Sequence, residues 1–208
     1  MTDPNAADPN AMTSPIRGAA LGWAVRPRQL VLSVRPDGST HPRSRAEPTR
    51  IEVRGGLPQD GPALAAMHER CTMDTIFRRY LCAVPALSAS WQAQLLTTTV
   101  ALVAVDERGR IRALGNVAQL DQESTAELAV LVEDSHQGRG LGTALARHLA
   151  AAARLAGFRT LRMDLLPSST AAARVAAHLG PAIAVVGQGV VTLTMPLRIE
   201  SLNGLTAA

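Results

Sequence analysis

Ala126-Glu127-Leu128-Ala129-Val130-Leu131-Val132-Glu133-Asp134-Ser135-His136 leads without a break into Gln137-Gly138-Arg139-Gly140-Leu141-Gly142-Thr143. Residues 126–132 form a strand pattern whose apolar run only Glu127 interrupts. A glycine-rich loop follows, then a long Ala/Leu helix from Gly142 to about Leu155, with Gly157 as its stop. Glycines let a backbone turn tightly and approach a ligand closely. The first turn of a helix offers unpaired N–H groups and the positive end of the helix dipole. Strand, glycine loop and helix start together predict a diphosphate site. Each helix-dipole contact contributes about 0.3–2 kcal/mol, so several converging donors suffice to anchor a ligand.

The spacing narrows the choice of ligand. A nucleotide P-loop ends in Gly-Lys-Ser or Gly-Lys-Thr, and the chain contains no Lys. A dinucleotide fingerprint needs glycines at its first, third and sixth positions. Counting from Gly138 the sixth position is Thr143, and from Gly140 it is Leu145. What remains is Gln-x-x-Gly-x-Gly, from Gln137 to Gly142.

That motif, in its strand and helix context, resembles the GNAT superfamily of acyl-CoA N-acyltransferases. The resemblance runs over about residues 50–197, including residues 157–180, where the family has a strand, a loop with a polar residue and a helix ending in Gly. It implies acetyl-CoA, or another short acyl-CoA, as co-substrate. Strand 126–132 would lie beside the pantetheine arm. Gln137 and the loop residues Gly138, Arg139, Gly140, Leu141, Gly142 and Thr143 would hold the pyrophosphate, with Arg139 placed either on a phosphate or in solvent. Backbone N–H groups near Leu131 and Val132 would face the developing oxyanion. Ser169 stands where many relatives have Asn. Met67-His68-Glu69-Arg70-Cys71, Phe77-Arg78-Arg79-Tyr80 and Ala126-Glu127-Leu128-Ala129-Val130 further resemble bacterial protein-lysine acetyltransferases. In those relatives the glutamate of this strand is the general base, which implies that role for Glu127. Near apolar strand residues its pKa should be raised. Two departures stand out: Ala176 occupies the position of a tyrosine that protonates the leaving thiolate in many relatives, and Pro181 replaces the usual Phe.

Working outward, residues 51–54 alternate as a half-buried strand does, and Pro58, Asp60 and Gly61 open a helix carrying Leu64, Met67, His68 and Cys71. Further helical stretches run through Ile76, Tyr80 and Leu81 and from Trp91 to Leu96. Residues 100–105 and 111–120 form a hairpin about the turn 106–109, and a turn at 121–125 leads into strand 126–132. Past the long helix come a strand at 161–166, a helix from 170 ending at Gly180, and a strand pair at 183–186 and 190–195. This order predicts a mixed α/β fold, a mainly antiparallel twisted sheet flanked by helices.

Residues 1–49 hold seven of the thirteen Pro and read as a flexible Pro/Arg-rich leader. Within it, residues 29–34 form an apolar run suited to one more strand, closed by a turn at 36–38. Residues 50–197 make the acyltransferase domain and 198–208 a tail. The net charge of +4 is concentrated in the leader: residues 1–50 carry seven Arg against four acids, residues 51–208 fourteen Arg against thirteen. The domain therefore lacks the clustered basic surface that nucleic-acid binding requires. No apolar run has the length of a membrane span. Cys71 and Cys82 have neither metal-ligand nor disulfide-framework spacing, so they read as core thiols of a reduced, cytoplasmic protein with no metal.

The other candidates have bland readings. Glu133 shares a face with Glu127 by period-two parity but reads as solvated, and His136 as an exposed loop residue. Tyr80 reads as packing, Arg78 and Arg79 as a solvated face. The expected partner is an amine, on protein lysine or on a small molecule, and the expected assembly a monomer or homodimer. A non-catalytic acyl-CoA sensor is the alternative class.

Overall fold

A computed structural model describes residues 30–34, 49–120 and 124–197. The predicted turns at 36–38 and, in part, at 121–125 fall outside these residues, as does the 198–208 tail. Among the described residues eight strands form one sheet: β1 (Leu30–Val34), β2 (Thr49–Gly55), β3 (Val100–Asp106), β4 (Ile111–Gln119), β5 (Thr125–Val132), β6 (Thr160–Leu165), β7 (Ile183–Gly187) and β8 (Val190–Pro196). Their spatial order is β1-β2-β3-β4-β5-β6-β8-β7. Every pairing is antiparallel except β5 with β6. The mixed, mainly antiparallel sheet is therefore as expected. Part of the leader belongs to it, since β1 pairs with β2 from Leu30↔Val53 to Val34↔Thr49.

Among the described residues five helices cover the sheet: α1 (Gly61–Glu69), α2 (Met73–Tyr80), α3 (Ala89–Leu96), α4 (Leu141–Leu155) and α5 (Thr170–Ala177). The starts of α2 and α3 follow from their caps, where Thr72 accepts from the Thr75 amide and Ser88 from the Trp91 amide. α4 begins one residue earlier than predicted, and α5 ends three residues before Gly180.

Strand alternation divides the core. On one face Ala126 and Leu128 of β5 and Leu161 and Met163 of β6 pack beneath α4, whose Leu141, Leu145, Leu149 and Ala153 are buried. On the other, Leu114 and Leu131 pack against Leu64, Met67, Ile76 and Leu95 from α1–α3. Gly115 lets α4 sit this close to the sheet. A Cβ there would lie 2.5 Å from Leu149 Cδ1. Because Leu149 is fully buried, it has no room to retreat. Gly115→Ala is expected to destabilise the fold by about 1–3 kcal/mol, read as a lower midpoint in thermal melting.

Candidate active site

The parallel register of β5 and β6 covers only Thr125↔Thr160, Ala126↔Leu161 and Glu127↔Arg162. Beyond Glu127 the strands part, and the rest of β5 lines a gap. In an antiparallel ladder successive residues alternate in which neighbour their backbone groups face. The Glu133 amide donates to Arg112 O and the Leu120 amide to Thr125 O. By the same alternation Leu131 turns its N–H to β4, while Val130 and Val132 turn theirs toward the gap. Of the two predicted oxyanion donors, Val132 thus has its amide on the open side and Leu131 does not.

Glu127 lies on the α1–α3 face, beside the last registered pair with β6, and is half-buried. Burial raises its carboxyl above the ordinary range. Arg79 and Arg162 pull it back, and Asp164 pushes it up. Arg162 and Asp164, on the same face of β6, are bonded to each other at 3.1 and 2.6 Å, and Thr192 Oγ1 donates to Asp164 at 2.7 Å.

The glycine loop is held by what precedes it. Glu133 is buried and not solvated as expected: it accepts from Arg112 Nη1 at 2.6 Å, Arg70 Nε at 3.0 Å and Ser135 Oγ at 2.8 Å. The chain leaves the strand pattern after Val132, so parity no longer decides where residue 133 points. His136 is buried too, its Nδ1 2.9 Å from Ser135 Oγ, because a short 3-10 turn at Asp134–His136 folds it inward. Asp134 accepts from the Thr72 amide and from the hydroxyls of Thr72 and Thr75. Gln137 Nε2 donates to Val132 O at 3.0 Å and Thr75 Oγ1 at 3.2 Å, so its side chain braces the loop against α2.

Past this anchorage Gly138 and Gly140 adopt φ of 72° and 80°, left-handed values that favour glycine. Gly140 caps α4, and no side chain among the described residues caps its first turn. The amides of Leu141, Gly142 and Thr143 therefore remain as donors. Gly142 packs against Val132 and Val175, and a Cβ there would make ordinary contacts at 3.5 and 3.8 Å. Arg139 is half-buried. Ser169 is buried ahead of α5, with Arg78 Nη1 3.3 Å from its Oγ. A parted strand pair beside an uncapped, glycine-led helix start fits a long phosphate-bearing co-substrate.

A family model described as the acetyltransferase (GNAT) family matches residues 66–180, more than half of the chain. The chain belongs to the GNAT acetyltransferase family. It is accordingly a GNAT-type N-acyltransferase, and acyl-CoA is the co-substrate class. Among solved structures, the GNAT domain of S. lividans PAT superposes with a TM-score of 0.69 at 24% identity, covering 81% of this chain and 96% of that one. The yncA protein of Salmonella typhimurium, solved with its cofactor acetyl-CoA, gives 0.56 at 19% identity, covering 73% and 96%. An N-acetyltransferase from Staphylococcus aureus Mu50 gives 0.57 at 17%, covering 71% and 99%. No curated protein matches the sequence.

The remaining candidates fall into place around this site. Tyr80 packs: its ring stacks on Trp91 and His68, and its hydroxyl lies 2.6 Å from His68 Nε2. His68 Nδ1 faces the Leu64 carbonyl at 3.0 Å, an acceptor only, so Nδ1 carries the proton and Tyr80 donates to Nε2. Cys71 is buried, and burial pushes its thiol up to about 12, so it is no nucleophile near neutrality. Cys82 is half-buried and, like Cys71, free. Among the described residues no group of three or more His, Cys, Asp or Glu side chains could hold a metal, and no helix is long and apolar enough to cross a membrane. Arg79 departs from its solvated reading and turns inward to Asn116. Asn116, Arg112, Thr72 and Thr75 carry no motif of their own, and sequence reading passed over them.

Proposed function

We propose that this GNAT enzyme acetylates a lysine amine on a protein, with Glu127 as the general base. The observation that carries the reading is Glu127 itself, a half-buried carboxylate where β5 and β6 part, its affinity for a proton raised by burial. An amine acceptor is protonated near neutral pH and cannot attack until its proton leaves. Glu127 takes that proton, directly or through a water. The amides of Val130 and Val132 on the open side of β5 meet the negative charge that develops on the acyl oxygen. The amides of residues 138–143 hold the pyrophosphate, with Arg139 and Ser169 alongside. Acetyl-CoA, when bound, supplies the activated acyl group. No tyrosine stands at Ala176, and a thiolate is a good enough leaving group to depart without one.

Two features support a protein acceptor. Residues 67–71 and 77–80 resemble protein-lysine acetyltransferases. Met73 and Phe77, one turn apart on α2, are 59% and 43% exposed, an apolar ridge that a protein surface would cover. Two free thiols suit a cytoplasmic setting. The test is thiol release with lysine-bearing proteins and a panel of free amines, using wild type and Glu127→Gln. Turnover of proteins that disappears in the variant is expected. Turnover of small amines alone would overturn the acceptor, and tight CoA binding without Glu127-dependent turnover would make the protein a sensor.

The cradle carries its own prediction. Valine does not tolerate the φ of 80° at Gly140. Gly140→Val should displace the amides and weaken acetyl-CoA by about 1–2 kcal/mol, which is roughly 5–30-fold in Kd. Calorimetric titration reads it directly.

A further inference from the structure

Three charged groups face Glu127: Arg79 from α2, and Arg162 and Asp164 from β6. On β4 the nearest residues are uncharged. Ala118 lies directly opposite Glu127 and Asn116 two positions along the same face. Arg162 and Asp164 are bonded to each other, so their effects on Glu127 oppose and largely cancel. Arg79 has no such compensation, for among the described residues no carboxylate lies within ion-pair distance of it. By contrast Arg112, a buried arginine of β4, is paired with both Asp106 and Glu133.

Arg79 is instead held by neutral groups. Its Nη2 donates to Asn116 Oδ1 at 3.1 Å, and Asn116 is fixed in turn by donating to Leu95 O at 2.6 Å. Its guanidinium carbon stands 4.8 Å from the centre of the Tyr80 ring, a cation–π contact backed by the stack of Tyr80 on Trp91 and His68. Its Nε is the one buried side-chain polar atom without a hydrogen-bond partner among the described residues. A buried donor left unpaired is a cost. An acid at position 116 would quench the charge and would set an oxygen against Leu95 O, to which the amide now donates. The amide there keeps the guanidinium in place with its field intact.

We propose that Arg79 is a positioning residue for Glu127: suspended between Asn116 and the Tyr80 ring, it supplies the uncompensated positive field that keeps Glu127 ionised and ready to take the acceptor's proton. The inference rests on Glu127 being the base. Burial alone would drive that carboxyl toward its neutral form, in which it cannot act. The same field disfavours an ammonium beside it and so favours release of the acceptor's proton to Glu127.

The test is the pH profile of kcat/KM, with a 13C-carboxyl NMR titration of Glu127 as a readout that needs no turnover. In Arg79→Gln, which removes the charge and keeps a polar side chain, the acid limb and the Glu127 titration should both move up by about one pH unit. On the limb this is a loss of about tenfold that recovers once pH exceeds the new midpoint. Arg79→Lys should hold both near the wild-type position. Asn116→Asp, which sets a negative charge against an intact Arg79, should move them up as Arg79→Gln does. An unmoved titration in Arg79→Gln or Asn116→Asp would overturn the proposal. So would an equal loss at every pH in both the Gln and Lys variants, the mark of a packing role alone. If Glu127→Gln keeps wild-type turnover and its acid limb, the base assignment fails instead, and the NMR titration still reports whether Arg79 acts on Glu127.

Discussion

Glu127→Gln is expected to lower kcat/KM by about 10²–10⁴, the range for removing a positioned general base, while leaving acetyl-CoA affinity unchanged. Gln preserves the shape of the side chain and removes only the ability to accept a proton. The cradle of residues 138–143 is held by Asp134, Gln137 and Glu133, none of which the substitution touches. The variant should also melt at the same temperature as wild type or higher. The sign follows from linkage. A carboxyl raised by burial in the fold favours its protonated form, so its contribution to stability is full below the ordinary value of 4.5 and is lost as pH rises through the folded value. At neutral pH the ionised Glu127 is a burden that Gln removes. Loss of activity together with loss of stability would point to a structural glutamate.

Arg112→Ala is expected to be the most destabilising single change near the site. Arg112 is buried and bonds Asp106 Oδ2 at 2.8 and 3.0 Å and Glu133 Oε1 at 2.6 Å. Its removal leaves two buried carboxylates without their shared cation. Breaking a buried pair in this way costs about 3–5 kcal/mol, or on the order of 10 °C in Tm for a domain of this size. Function should suffer as well, because Glu133 begins the anchored stretch ahead of the glycine loop, and KM for acetyl-CoA should rise. The pH dependence is distinctive. Burial alone would raise Asp106 and Glu133, but hydrogen bonds outweigh it, from the Arg110 amide and then Arg112 at Asp106 and from Arg112 first at Glu133, and hold both below the ordinary values of 3.8 and 4.5. Stability from depressed carboxylates is present above those values and lost as pH falls through the folded ones. Wild type should therefore lose stability steeply on acidification and the variant less so, as melts between neutral pH and about pH 3 would record.

The sheet and the glycine loop were legible because their signals are local. Alternation marks β2, an apolar run broken only by Glu127 marks β5, the glycines at 138 and 140 need left-handed backbone, and an Ala/Leu-rich stretch marks α4. Glu127 was legible as the lone charge in an apolar strand. What surrounds it was not, because those contacts join residues distant in sequence. Arg70 reaches Glu133 across 63 positions, Thr72 reaches Asp134 across 62, and Arg79 reaches Asn116 across 37. Glu133 and His136 were misplaced for a related reason. Period-two parity holds only while the strand continues, and the chain turns into a 3-10 helix immediately after it. β1 was visible only as an apolar run, since nothing in a Pro-rich leader says that it pairs with β2.

Backbone amide NMR on 15N-labelled protein titrated with acetyl-CoA tests the central geometry residue by residue. The largest shifts are expected at Gly138, Arg139, Gly140, Leu141, Gly142 and Thr143 and along the open side of β5 at Val130 and Val132. A folded protein whose amides there stay still while acetyl-CoA is added, or shift only elsewhere, would contradict it.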